Sequence, residues 1–144
     1  MSPRCKIEMP RRFQFSTDIP VRISDINHGM HVGHDSFLTI THEARVRFLK
    51  SLGATEGDVF GRGIVLSDAE LSYTNESFYG DTLNIKIACG DLLKYGLNMF
   101  YLISEKKRKI EIARVRTGIV FFDYKKRKVA RVPKRFALAL SELK

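Results

Sequence analysis

An α+β domain, with one long helix laid on an antiparallel sheet, is the fold class that the sequence predicts. Three observations lead there. Residues 13–23 alternate apolar with polar, one later stretch repeats its apolar residues every three or four positions, and the chain from 64 to 122 returns to alternation. The 144 residues, 44% apolar and 28% charged, suit one globular domain spanning 1–144 with a core of its own.

In the first stretch Phe13, Phe15, Thr17, Ile19, Val21 and Ile23 alternate with Gln14, Ser16, Asp18, Pro20, Arg22 and Ser24. This is the signature of a strand with one buried face, and Pro20 within it points to an edge position or a bulge. Residues 25–35 are rich in His, Gly and Asn and have no period, so they form a loop. Asp35 or Ser36 is expected to cap the following helix, whose apolar residues are Phe37, Ile40, Ala44, Phe48 and Leu52 and which stops at Gly53. Ala69, Leu71 and Tyr73 mark the next strand, and Leu83, Ile85, Ile87 and Cys89 another after a turn at Gly80-Asp81. Leu97, Met99, Tyr101 and Ile103 follow Tyr95-Gly96. The last strand runs through Ile110, Ile112, Val115, Thr117, Ile119 and Phe121, and its residues 119–122 are apolar on both parities, as in a central strand. These four strands are expected to form a meander, and Pro133 allows a short final helix carrying Phe136, Leu138 and Leu140.

Composition excludes several functions. No apolar run is long enough to span a membrane, and residues 1–12 are basic without the apolar core of a secretory signal. Cys5 and Cys89 lie 84 positions apart with no partner motif, which fits neither zinc nor a disulfide framework and suits a reducing cytoplasm. The net charge of +9 is local: residues 104–135 hold thirteen Lys or Arg against three acids. Two runs carry most of it, Lys106-Lys107-Arg108-Lys109 and Lys125-Lys126-Arg127-Lys128, each between apolar-periodic stretches and so at strand ends. A solvated turn or a site for a phosphorylated small molecule explains such runs. No nucleic-acid-binding motif accompanies them.

Chemistry concentrates in the loop before the helix, where Asp25, Asn27, His28, His31, Gly33, His34 and Asp35 crowd together. Asp25 and Asn27 suit side-chain turns, and three histidines at spacing three are a weak metal signal, so no metal is expected. Backbone amides at a helix N-terminus can stabilise a negative oxygen, and Gly33 allows close approach. The amides of Gly33 and His34 are therefore candidates for an oxyanion site.

The stretch from Arg22 to Phe48 resembles the hot-dog-fold acyl-CoA thioesterases of the 4-hydroxybenzoyl-CoA thioesterase type. Their motif reads approximately Arg-x-x-Asp-x-Asp-x-x-Gly-His-Val-Asn-Asn-x-x-Tyr, followed by a helical Glu-Ala-Arg. Arg22, Asp25, His31-Val32 and Phe37 match or nearly match it, Glu43-Ala44-Arg45 matches, and Phe78-x-Gly80-Asp81-x-Leu83 and Phe121-Phe122-Asp123 extend the likeness over most of the chain. The resemblance implies a hot-dog fold, an antiparallel sheet of about five strands wrapped around the long helix. It also implies a homodimer or homotetramer with shared sites, and hydrolysis of acyl-CoA or acyl-carrier thioesters with no cofactor beyond the substrate's own coenzyme A. The second Asp of the motif is usually the catalytic carboxylate, and here it is Asn27. An amide cannot act as nucleophile or base, though it can bind a carbonyl oxygen or orient water. Asp25, Asp35 and Glu43 are the candidate replacements, His31 a candidate for positioning, and Lys125, Lys126, Arg127 and Lys128 candidates for the CoA phosphates. Phe37, Phe48, Met30 and Tyr73 are candidates for an acyl tunnel. A non-catalytic acyl-CoA-binding protein and an acyl-thioester hydratase are the alternative functions.

Overall fold

In a computed structural model that describes residues 6–143, the alternating stretches become strands whose apolar parity turns to one side. The order is β1 (Phe15–Pro20), a 3-10 turn (Ile23–Asp25), α1 (Ser36–Ser51), β2 (Gly63–Tyr73), β3 (Thr82–Gly90), β4 (Gly96–Glu105), β5 (Ile110–Asp123), β6 (Lys128–Val129) and α2 (Lys134–Glu142). All pairings are antiparallel, and the sheet runs β1-β3-β4-β5-β2, with the two-residue β6 extending the line beside β5. The helix lies on one face. Phe37, Ile40, Ala44 and Phe48 of α1 share a buried cluster with Leu83, Ile85 and Ile87 of β3, Met99, Tyr101 and Ile103 of β4, and Val115, Ile119 and Phe121 of β5. On the opposite face the N-terminal segment packs Ile7 against Ala88 and Phe100. Cys89 is half-buried and burial pushes its thiol up to about 12, which makes it unreactive; Cys5 lies outside the described residues.

Two expectations need correction. The first strand ends at Pro20 rather than at residue 23, and the exposed Ile23 (67% exposed) sits in the 3-10 turn. Arg22 is the cause: its backbone N–H and guanidinium both bend back onto the Asp25 carboxylate, which breaks the extended run. Pro20 does sit on an edge strand, where its missing N–H costs the sheet nothing. The four later strands, moreover, are not a simple meander. Only β3-β4-β5 is one, while β2 pairs with β5 at the far edge, from Gly63 opposite Phe122 to Tyr73 opposite Ala113. Residues 74–81 are therefore a crossover from the β2 edge to β3, which lies between β1 and β4, and not a hairpin turn. They pass the loop before α1, where the Val32 N–H donates to the Ser77 carbonyl.

Arg45 of α1 is buried, and its Nη1 donates to the Tyr101 hydroxyl while its Nε meets Glu56 at 2.7 Å. Tyr101 and Thr117 share a further hydrogen bond at 2.9 Å. Burial would raise the Glu56 carboxyl, but the hydrogen bonds from Arg45 and His42 outweigh it and hold the group below the usual carboxylate range. Its contribution to stability is thus present above the ordinary Glu pKa of about 4.3 and lost as pH falls through the lower folded-state value. Tyr101→Phe should leave both Arg45 Nη1 and the Thr117 hydroxyl short of a partner and cost about 1–3 kcal/mol in urea denaturation at neutral pH. A loss of a few tenths would show that the network adds nothing to stability.

Candidate active site

The loop before α1 is shaped by its own short-range hydrogen bonds. Ile26 bridges Val32, the Asn27 N–H donates to the His31 carbonyl, and the Met30 N–H returns to the Asn27 carbonyl. The Asn27 Oδ1 accepts the Gly29 N–H at 2.9 Å, the side-chain turn anticipated for it. That bond fixes the amide's orientation and leaves Nδ2 as the free donor. Met30 sits at φ +64°, in the left-handed region that favours glycine. His31 lays its ring over Gly29, where a Cβ would come within 2.8 Å of Nε2, and its Nδ1 is 3.3 Å from the Val32 carbonyl. With Nδ1 donating to that carbonyl, a neutral ring would leave Nε2 as an acceptor.

Asp25 anchors this loop. It is 3% exposed, and its carboxylate accepts from the Arg22 backbone N–H, Nε and Nη2. Its backbone carbonyl takes the Gly33 N–H and the Ser36 hydroxyl, each at 3.0 Å, which fixes the start of α1. Two expectations change as a result. The Gly33 amide is already committed and cannot polarise a substrate; the His34 amide has no partner among the described residues. Nor does Asp35 or Ser36 cap the helix by its side chain: Asp35 is already helical at φ −70°, ψ −31°, and the Ser36 hydroxyl faces Asp25.

The Asp35 carboxylate lies instead over Gly33. A Cβ on that glycine would stand 2.7 Å from Asp35 Oδ1, 3.6 Å from the Asn27 Cβ and 3.8 Å from its Nδ2, so the acid and the amide flank the one residue without a side chain. Gly33 is needed for side-chain approach, not for the backbone approach anticipated. A cavity of about 300 Å³ opens beside it, lined by Asn27, His31, His34, Phe37, Tyr73 and the crossover residues 74–77. The Tyr73 hydroxyl donates to the His34 carbonyl at 3.1 Å; burial, and then the nearby Asp35 charge, raise its pKa and keep it a donor. Of the residues expected to line a tunnel, Phe37 and Tyr73 meet here, whereas Phe48 is core and Met30 points outward, 69% exposed.

The three candidate carboxylates thus separate. Asp25 is consumed by Arg22, and Glu43 pairs with Arg47 at 2.8 Å on the helix flank towards β1, in a different cavity. Arg45, the other partner considered for Glu43, belongs to Glu56. Asp35 alone has neither a hydrogen-bond nor an ion-pair partner among the described residues. No group of three His, Cys, Asp or Glu among them is placed to hold a metal ion.

The two basic runs also part ways. Half of the first, in the β4–β5 hairpin, is engaged in ion pairs: Lys106 with Asp18, and Arg108 with Asp81 and Glu105. The second borders a groove of about 730 Å³ at the other end of β2, lined by Lys126 and Lys128 together with Arg62, Lys94, Arg131 and Lys134. Lys125 is not among its lining residues, and Arg127 stacks over Phe122. Arg131 and Lys134 follow the run along the chain, whereas Arg62 and Lys94 come from two distant loops, which no sequence run could reveal. An eleven-residue β2 spans roughly 33 Å at ~3.3 Å per residue, so the groove and the loop of one chain stand at opposite ends of the sheet.

The sequence profile of the thioesterase-like superfamily matches residues 21–140. No curated protein matches the sequence. Among solved structures, a 1,4-dihydroxy-2-naphthoyl-CoA thioesterase from Synechocystis superposes with a TM-score of 0.81 at 22% identity, covering 90% of this chain and 96% of that one. SAV2348 from Staphylococcus aureus, solved in complex with CoA, gives 0.81 at 16% identity over 96% and 87% of the two chains. A thioesterase superfamily protein from Jannaschia gives 0.81 at 16% identity over 92% and 84%. At these identities the likeness is one of fold, and the fold is the hot-dog.

Because the Asp35 side chain makes no capping bond, Asp35→Asn should change unfolding free energy by no more than about 0.5 kcal/mol, as at an ordinary surface position. A thermal or urea melt checks this. A loss of about 1 kcal/mol or more would restore the capping role.

Proposed function

The chain belongs to the thioesterase-like superfamily, and on that premise we propose that it hydrolyses an acyl-CoA thioester with Asp35 as the general base. The observation that carries this reading is the Asp35 carboxylate, unpartnered among the described residues, across Gly33 from the Asn27 amide; Asn27 and His34, not Asp35 itself, line the cavity. With Asn27 in place of the motif's second Asp, Asp35 supplies the acid and Asn27 a hydrogen-bond donor. Asp35 takes a proton from water as its oxygen attacks the thioester carbonyl carbon. The carbonyl oxygen, gaining charge, accepts from the His34 N–H and from Asn27 Nδ2. The tetrahedral adduct then collapses, the C–S bond breaks, and the proton held by Asp35 passes to the departing CoA sulfur, leaving the free acid. His31 Nε2, an acceptor, orients the water.

The groove of Lys126 and Lys128 is the proposed site of the CoA phosphates, reached through a second copy. β2 is a sheet edge with unpaired backbone groups, and Leu66 and Tyr73 on it are exposed. Two β2 edges paired antiparallel about a twofold axis bring the groove end of one chain beside the loop end of the other. The site is then complete only in the dimer. The CoA bound to the Staphylococcus aureus protein supports the ligand class.

Asp35→Asn should lower the hydrolysis rate about 10²–10⁴-fold while acyl-CoA still binds. Asp25→Asn should chiefly cost stability, about 1–3 kcal/mol, by weakening the buried Arg22 contacts. Released thiol measured beside melting curves separates the two, and an Asp35→Asn protein as fast as wild type would dismiss the base and favour a direct role for Asn27 and His31. A wild type that binds acyl-CoA without releasing thiol would be a binding protein.

The shared site has its own test. A chain carrying Asp35→Asn and a chain carrying Lys126→Gln, Lys128→Gln and Arg131→Gln should each be slow on acyl-CoA, and remixing them should restore turnover, since the mixed dimer holds one intact site. No recovery, or a monodisperse monomer in light scattering at micromolar concentration, would refute the arrangement.

A further inference from the structure

Tyr73 lines the cavity, and the way it is held bears on what the cavity accepts. Its ring lies 5.4 Å from that of Phe37, inclined by 48°, and its hydroxyl is clasped to the His34 carbonyl. Phe37 is 3% exposed and rooted in the cluster between helix and sheet, so it cannot swing aside. Beneath it Ile40, Ala44 and Phe48 of α1 meet the sheet with almost no exposed surface, which leaves no path between helix and strands. The apolar wall that one chain supplies, among the described residues, is thus Val32, Phe37 and Tyr73. The remaining lining is polar and largely committed: Thr74 donates to the Glu111 carboxylate, Asn75 to the Glu111 carbonyl, and Ser77 to Asp81. About 300 Å³ is at the small end of ligand pockets, which run from about 300 to 1,000 Å³, and the thioester and part of the pantetheine arm must share it.

Resting on the thioesterase reading, we infer that Tyr73 is the residue that sets acyl size, and that this chain takes a compact acyl group no larger than a single ring. Such a group lies against the two rings and Val32 and ends where the apolar wall ends. A long chain would leave that wall after a few carbons and lie across the polar residues 74–77, burying their hydrogen-bonding groups against hydrocarbon. The clasp makes the limit firm. With its hydroxyl on the His34 carbonyl, Tyr73 is tied to the residue whose N–H faces the substrate oxygen, so acyl fit and carbonyl polarisation are mechanically joined.

The test is a size series from acetyl through benzoyl and hexanoyl to palmitoyl. It is read as thioester hydrolysis of the CoA esters and, separately, as binding of the matching S-alkyl and S-benzyl CoA thioethers, which cannot be cleaved. Wild type should favour the small and ring-sized members over palmitoyl by at least about tenfold in both readouts, the scale at which pocket fit discriminates. Tyr73→Ala should move the optimum to longer chains by about tenfold or more. Tyr73→Trp should weaken benzoyl and benzyl relative to acetyl and methyl. Tyr73→Phe, which keeps the ring and loses the clasp, should keep the size profile and lower kcat rather than raise KM. A preference for palmitoyl in wild type, or an unchanged size profile in both Tyr73→Ala and Tyr73→Trp, overturns the inference. Thioether binding that follows the size limit without hydrolysis of any ester would leave the limit standing and remove the thioesterase reading.

Discussion

The buried Asp25 carboxylate is the constraint on which the rest of the site depends. A charge at 3% exposure is costly unless its oxygens are satisfied, and Arg22 supplies three donors from backbone and side chain. The same residue's carbonyl gathers Gly33 and Ser36, so one position ends the strand line, turns the chain and sets the first residue of the helix. Everything that faces the cavity is placed relative to that point. It follows why this carboxylate is unsuited to chemistry: a base must be free to take a proton, and this one is held by its structural duty.

A second consequence lies in the sheet order. Because β2 skips its sequence neighbour and pairs with β5, the crossover 74–81 must return across the sheet to β3, and it does so beside the loop before α1. The polar residues 74–77 that line the cavity are there because of topology, and Ser77 is tied to Val32 through the backbone. A meander would have left the cavity without that wall. Placing β2 at the edge also leaves a long strand flank open to a second chain.

What could be read from the sequence was what local physics controls. Period-two and helical repeats located every long element, and the motif around Asp25 and His31 identified the loop and the superfamily. The sheet order was not legible, since alternation in β2 marks a strand with no record of its partner. Nor was the choice among Asp25, Asp35 and Glu43, because each depends on a cation or a glycine whose distance appears only in three dimensions. The basic runs show the same limit: Lys106-Lys107-Arg108-Lys109 and Lys125-Lys126-Arg127-Lys128 look alike, yet Lys106 and Arg108 of the first pair with Asp18, Asp81 and Glu105, while Arg62 and Lys94 from distant loops join the second. Asn27 was read correctly as a turn-former, and that turn proved to be what aims its amide.

Met30 occupies the glycine position of the motif while keeping the backbone shape that glycine favours. A side chain in that region costs of order 1 kcal/mol and persists only where the surroundings over-determine the turn, here through the bonds among Ile26, Asn27, His31 and Val32. The loop's form is therefore held by its flanks and not by the residue at its apex. Position 30 is thereby a natural attachment point: its side chain projects into solvent one residue before His31, which lines the cavity, so a spectroscopic label carried there would report on events in that cavity without reshaping the loop.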